Sequence, residues 1–176
     1  VCVLSYGWLN ALHCDPHGLH AQRVIGFLRS PLGLHFEALF WDYGSLTQKG
    51  TDGSSRSEAD QVMFDKALKV MAGLYASAHG TTVLRLAEIP PSPDPNFKYN
   101  STPYSTRGWP KLECSAAMIM VGTEAQANLN SSVNRVPKMV DAISMQPILT
   151  QRPSTPEEFE IELHAATFVG RGDRQL

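Results

Sequence analysis

An α/β domain with a mainly parallel sheet and helices on both faces is the fold this sequence predicts. Three observations point to it. Short apolar runs at Val1 to Tyr6, His35 to Trp41 and Thr81 to Leu86 have the length and composition of buried strands. Each is followed by a loop and then by apolar residues at helical spacing. Three such units fill roughly the first 120 residues, the order of a parallel sheet covered by helices. With 176 residues, 43% of them hydrophobic, the chain can build a substantial core as one domain over 1–176.

The first run, Val1-Cys2-Val3-Leu4-Ser5-Tyr6, ends in the loop Gly7-Trp8-Leu9-Asn10. Asp15-Pro16 reads as a cap and first-turn proline for a helix from 17 to 29, whose Leu19, Val24, Ile25, Phe27 and Leu28 cover the sheet. Ser30 to Gly33 breaks that helix, and the second strand runs from His35 to Trp41, ending at Asp42-Tyr43-Gly44-Ser45. Residues 44–57 are polar and rich in Gly, Ser and Thr, a loop in the position where function often sits.

Either Ser55 with Glu58 or Ser57 with Asp60 caps the next helix, which carries Val62, Met63, Ala67, Leu68, Val70, Met71, Leu74 and Tyr75 at helical spacing and ends at His79-Gly80. Thr81 to Leu86 is the third strand, and the proline-rich stretch from 90 to 103 is irregular. After the helix that opens near Trp109, residues 123–137 show no clear period, although Ala125 to Leu129 fits a helical turn. Residues 136–149 fit either a helix or a helix plus a short strand. Thr155-Pro156-Glu157-Glu158 is a capping-box start for a last helix running towards Gly170. The motif-bearing part is therefore 1–121, and 122–176 either completes the sheet or is an appendage.

A net charge of −2 with scattered basic residues predicts neither a nucleic-acid partner nor an anionic membrane surface. No apolar run approaches the roughly 20 residues of a membrane span. Cys2, Cys14 and Cys114 make an odd count without zinc-type spacing, which favours a reduced, cytoplasmic setting. The chain starts directly in a strand, which reads as a trimmed domain. The sequons at Asn100 and Asn130 and the Arg171-Gly172-Asp173 tripeptide are treated as chance matches in such a chain. His13-Cys14-x-x-His17-x-x-His20 holds suitable zinc ligands at no established spacing, so no metal is expected. No Gly-x-Gly-x-x-Gly or P-loop follows any strand, against an ordinary dehydrogenase or NTPase.

The stretch Tyr104-Ser105-Thr106-Arg107-Gly108-Trp109-Pro110-Lys111-Leu112-Glu113-Cys114 organises the chain. Gly108 lets the backbone bend, and Pro110 suits a first helical turn. Glu113 is expected in that first turn, where the helix dipole favours its charged form. An aromatic residue and an acid thus meet where a strand hands over to a helix, the place where open α/β sheets bind ligands.

The strand ends Ser5-Tyr6 and Trp41-Asp42, followed by Trp109-x-x-x-Glu113, resemble the Toll/interleukin-1-receptor (TIR) superfamily. That family has a first strand ending in a serine and an aromatic residue, a second ending in an acid, and a tryptophan four residues before a glutamate. The helix with Met71, Leu74 and Tyr75 is also similar to fungal heterokaryon-incompatibility domains. Pro110 stands where the family usually has a cysteine, and the loop from Pro90 to Thr106 is longer than typical. The resemblance implies a flavodoxin-like, three-layer sandwich with a mainly parallel central sheet. It also implies one of two uses: cleavage of the nicotinamide–ribose bond of NAD by the glutamate, or a signalling scaffold acting by self-association.

Chemistry supports the first use. Breaking that bond passes through an oxocarbenium-like state that a carboxylate stabilises, and the cationic leaving group needs no proton. Glu113 is then the catalytic group. Ser5, Tyr6, Trp8, Asp42, Tyr43 and Trp109 are the candidate binding residues, with Trp8 stacking on a base and Asp42 holding a ribose hydroxyl or capping the next turn. Trp41 is expected to fill the core. NAD is substrate and no prosthetic group is implied. A nucleoside deoxyribosyltransferase-like enzyme, acting covalently on free nucleosides, is a further alternative.

Overall fold

The computed structural model describes residues 1–50, 54–77, 80–128, 137–148 and 155–168, with 119–128 followed as backbone. Strands β1 (Cys2–Tyr6), β2 (Leu39–Phe40), β3 (Thr82–Leu86) and β4 (Met139–Asp141) form one sheet in the order β2-β1-β3-β4. All three pairings are parallel. The helices are α1 (Leu19–Leu28), α2 (Asp42–Ser45), α3 (Glu58–Ala76), α4 (Gly108–Asn128) and α5 (Pro156–His164).

The period-2 geometry of a strand sends alternate residues of β1 to opposite faces. Cys2, Leu4 and Tyr6 join Val24 and Phe27 of α1 in one apolar cluster. Val3 joins Met71 and Tyr75 of α3 and Ala117 and Met118 of α4 in the other. The fold is a flavodoxin-like α/β sandwich of three layers, as the sequence predicts. Because the chain leaves β1 in one direction to β2 and later returns on its other side as β3, the order reverses between β1 and β3. The carboxyl ends of these two strands therefore open a crevice.

Several local expectations change. Helix α1 starts at Leu19 rather than 17, because Gly18 takes a left-handed conformation (φ 69°). Asp15 still caps it, accepting from the Ala21 N–H at 2.8 Å. The second strand shrinks to Leu39–Phe40. Gly33–His35 forms a 3-10 turn packed so tightly under α1 that a Cβ at Gly33 would lie 2.1 Å from the Phe27 carbonyl oxygen. Asp42–Ser45 is a helical turn, so the 44–57 loop begins later than expected.

Helix α3 is capped by Ser57, whose hydroxyl accepts from the Asp60 N–H at 3.2 Å, the second of the two predicted pairs. Its buried face is narrower than the sequence pattern implies. Met71 and Tyr75 are buried, whereas Val62, Met63 and Val70 are 48%, 62% and 67% exposed. The predicted capping box at Thr155 and Glu158 is formed, but α5 stops at His164, short of Gly170.

In the C-terminal part, β4 extends the sheet beside β3, and Thr167 exchanges backbone bonds with Thr106 and Gly108 at 2.7 and 2.9 Å. No helix among the described residues is long and apolar enough to cross a membrane. His79, Leu129, the Asn130 sequon, Leu149, Gly170 and the 171–173 tripeptide lie outside the described residues.

Candidate functional site

The crevice holds a cavity of about 350 Å³. Residues that follow β1 (Gly7, Trp8), β2 (Asp42) and β3 (Arg107, Trp109, Glu113) meet there, with Arg56, Phe64 and Met71 from the other side. Chain segments far apart in sequence converge because parallel strands deliver all their carboxyl ends to one edge.

Glu113 is the most constrained group. Helix α4 starts at Gly108, so Glu113 sits in its second turn and not, as expected, in the first. It is 8% exposed. Ser5, fully buried on β1, donates its hydroxyl proton to Glu113 Oε2 at 2.6 Å. The Ser5 oxygen in turn accepts from the Tyr104 hydroxyl at 2.6 Å, and Tyr104 stands 3.0 Å from Cys114 Sγ. With the Ser5 proton committed to Glu113, the chain has one direction: Cys114 thiol to Tyr104, Tyr104 to Ser5, Ser5 to the carboxyl.

The Tyr75 hydroxyl, which donates to the Leu4 carbonyl at 2.9 Å, also lies beside that carboxyl. Burial raises the Glu113 pKa from its ordinary 4.5 to about 8; the Ser5 hydrogen bond opposes the rise and the Asp42 charge adds to it. The expected dipole-favoured carboxylate is therefore corrected. Burial thus favours the protonated form of Glu113 at neutral pH, because desolvation outweighs a helix terminus a turn away.

Asp42 closes the neighbouring wall. Its carboxylate accepts from the Tyr6 hydroxyl and the Tyr43 N–H, both at 2.7 Å, and from the Trp8 indole N–H at 3.3 Å. Burial raises its pKa too, with the Tyr6 bond pulling the other way. Asp42 thus fixes two aromatic side chains as well as the start of α2. Trp8 is half-buried, and its ring edge meets Tyr43 at 5.6 Å. Trp109 is half-buried against Phe168, centroids 6.5 Å apart. A Cβ at Gly108 would strike that Phe168 ring at 2.2 Å, so the glycine is needed for close packing as well as for the bend.

The candidate residues divide accordingly. Tyr6, Trp8, Asp42, Trp109 and Glu113 line the cavity. Ser5 lies behind it and acts through Glu113. Tyr43 does not line it; its ring packs behind Trp8 and against His13. Trp41 packs against the α1-side core, as expected. The three histidines go to separate partners: His13 accepts from the Asp15 N–H, His17 meets Tyr99, and the buried His20 meets the Gly7 carbonyl at 3.2 Å. No cluster of metal-ligating side chains exists among the described residues.

Arg107 and Tyr104 lie inside the stretch that organises the chain, yet the local sequence assigns them no role. Their importance depends on contacts with Ser5, Gly7 and Trp8 some hundred residues earlier, which no local pattern encodes. Gln48 and Arg56 reach the site from the 44–57 loop, the segment expected to shape the pocket, and Phe64 from α3; within those segments no pattern marks these residues out.

Fold and site together define a flavodoxin-like α/β domain with a buried, hydrogen-bonded carboxyl in a cavity at the switch point of its sheet. Comparisons with protein-family models, curated proteins and solved structures return no match.

Proposed function

We propose that this domain binds NAD and hydrolyses its nicotinamide–ribose bond. The observation that carries the reading is Glu113: a buried carboxyl oriented by Ser5, facing a cavity between aromatic residues at the carboxyl end of a parallel sheet. The cavity volume falls within the range of about 300–1,000 Å³ typical of small-molecule sites.

A nicotinamide ring entering beside Trp8 or Trp109 brings a positive charge, which favours ionisation of Glu113 and release of its proton to water. The carboxylate then faces the ribose as the C–N bond lengthens and stabilises the developing oxocarbenium. Nicotinamide leaves as a neutral base. Water adds to the ribosyl carbon and loses a proton, giving ADP-ribose. Tyr6 and Trp8 both donate to Asp42, and the three present a preorganised wall. In this reading the domain works in a reducing cytoplasm, where its three free cysteines stay reduced, and turnover rises on self-association.

The test is nicotinamide release from NAD by the purified domain at low and high concentration, beside Glu113→Gln. Removing one preorganised electrostatic contact to a transition state costs about 10²–10³ in rate, so release should fall on that order while circular dichroism is unchanged. Equal rates remove Glu113 from the mechanism. No turnover in either protein, even at the high concentration that favours self-association, moves the reading to a non-catalytic scaffold.

A further inference from the structure

We propose that the cavity recognises a phosphate-bearing nucleotide rather than a free nucleoside, through the guanidinium groups of Arg107 and Arg56. This deepens the NAD reading and rests on it for the identity of the base.

Arg107 is 3% exposed and lines the cavity. Its Nε donates to the Thr102 carbonyl at 2.8 Å, one terminal nitrogen to Trp8 O at 2.7 Å, and the other to Asn100 O at 2.8 Å. These carbonyls are neutral, and each terminal nitrogen keeps a second N–H. Among the described residues no carboxylate pairs with Arg107, although Glu113 and Asp42 share its cavity. A buried cation without a counter-charge is costly, and buried charges are ordinarily paired. The backbone is shaped to keep it there: a Cβ at Gly7 would lie 2.5 Å from the guanidinium carbon.

Arg56 lines the same cavity. Its guanidinium lies 3.5 Å over the Phe64 ring and donates to Thr47 O and Gln61 Oε1, again with no carboxylate partner among the described residues. A planar guanidinium matches phosphate oxygens in pairs, which an ammonium does not. The cavity therefore has two chemically different parts. The carboxyls of Glu113 and Asp42 suit a cationic ring and a ribose, and the two arginines suit the phosphates attached to that ribose.

The experiment measures binding and turnover separately. Quenching of tryptophan fluorescence, with Trp8 and Trp109 in the cavity, is titrated with ADP and with adenosine. Nicotinamide release is compared for NAD and nicotinamide riboside, which share the scissile bond but not the phosphates. ADP should bind at least about tenfold tighter than adenosine, a preference that falls about tenfold in Arg56→Ala and in Arg107→Lys and weakens with salt. Arg56 is far enough out for its removal to leave the fold intact, so the test survives if Arg107→Lys does not fold.

Equal binding of ADP and adenosine overturns the proposal, as does a preference that both folded variants retain. The latter would make Arg107 a structural clip for the proline-rich stretch. An arginine-dependent ADP preference without NAD turnover leaves the phosphate site standing and removes the hydrolase. Equal kcat/KM for NAD and nicotinamide riboside does the reverse.

Discussion

The two faces of the sheet solve different problems with the same strands. On the α1 face, Cys2, Leu4, Tyr6, Leu84 and Leu86 pack against Val24 and Phe27, and the cluster is apolar almost to its edge. On the α3 and α4 face, Val3, Val83 and Met139 form a similar start, but the next inward residue of β1 is Ser5. From there a hydrogen-bonded row of Ser5, Tyr104, Cys114 and Glu113 replaces hydrocarbon. One face secures the fold. The other gives up apolar burial at its carboxyl end to hold an acid away from water, and a fully satisfied polar network of this kind is what keeps such a group in one orientation.

The largest difference between the faces should appear on truncation. Phe27 is fully buried and its ring centroid lies 5.9 Å from that of Phe36. Phe27→Ala is expected to cost about 3–5 kcal/mol, through lost transfer energy and the cavity left behind. Urea denaturation of wild type and variant at pH 6 and pH 9 should show the same loss at both, because nothing that titrates over that range is removed.

Glu113 should behave in the opposite way. Its pKa is about 8 in the fold against an ordinary 4.5, so between those values the folded state binds more protons than the unfolded one. Stability is then fully present below about pH 4.5, falls as pH rises, and levels off above about pH 8. The accumulated loss is on the order of a few kcal/mol. Glu113→Gln removes the titration while keeping an oxygen for Ser5, so the variant should resist urea better than wild type at pH 9 and differ little at pH 5. An equal response at both pH values would mean that Glu113 is not held as a buried acid. The same pKa gives the wild-type rate a rising limb with pH near 8 if ionised Glu113 is the active form.

This contrast also shows what the sequence could convey. The α1 face was legible because Leu19, Val24, Phe27 and Leu28 repeat at helical spacing and β1 is a continuous apolar run. The candidate residues of the cavity were legible in part: Ser5 and Asp42 are polar groups at or near the ends of the first two apolar runs, and Glu113 stands in the stretch that opens α4. Their state was not. Whether Glu113 is charged depends on how completely α3, β1 and Tyr104 exclude water, a tertiary quantity. The pattern on α3 failed similarly, since Val62, Met63 and Val70 have the right spacing but point beyond the reach of the sheet. Strand β2 is shorter than its apolar run: Phe36 and Leu39 look alike in composition, while only Leu39 and Phe40 find a pairing partner on β1. Arg107 stayed hidden because its meaning lies in Gly7 and Trp8.

The smallest of these effects concerns Ser5 itself, and it separates the two faces most finely. Ser5→Ala keeps nearly the same volume but removes both hydroxyl bonds, leaving Glu113 and Tyr104 without their shared partner. A lost buried hydrogen bond of this type costs about 1–3 kcal/mol. The substitution should do more than destabilise. The Ser5 bond, with a smaller contribution from Tyr75, holds the Glu113 pKa down against burial, so without it the carboxyl is still harder to ionise. The rising limb of nicotinamide release should therefore move to higher pH in Ser5→Ala. Cys2→Ala, a deletion of comparable size on the apolar face, should lower stability and leave that limb where it is. If both variants shift the pH profile equally, Ser5 contributes only packing, and the polar row has no special hold on the acid.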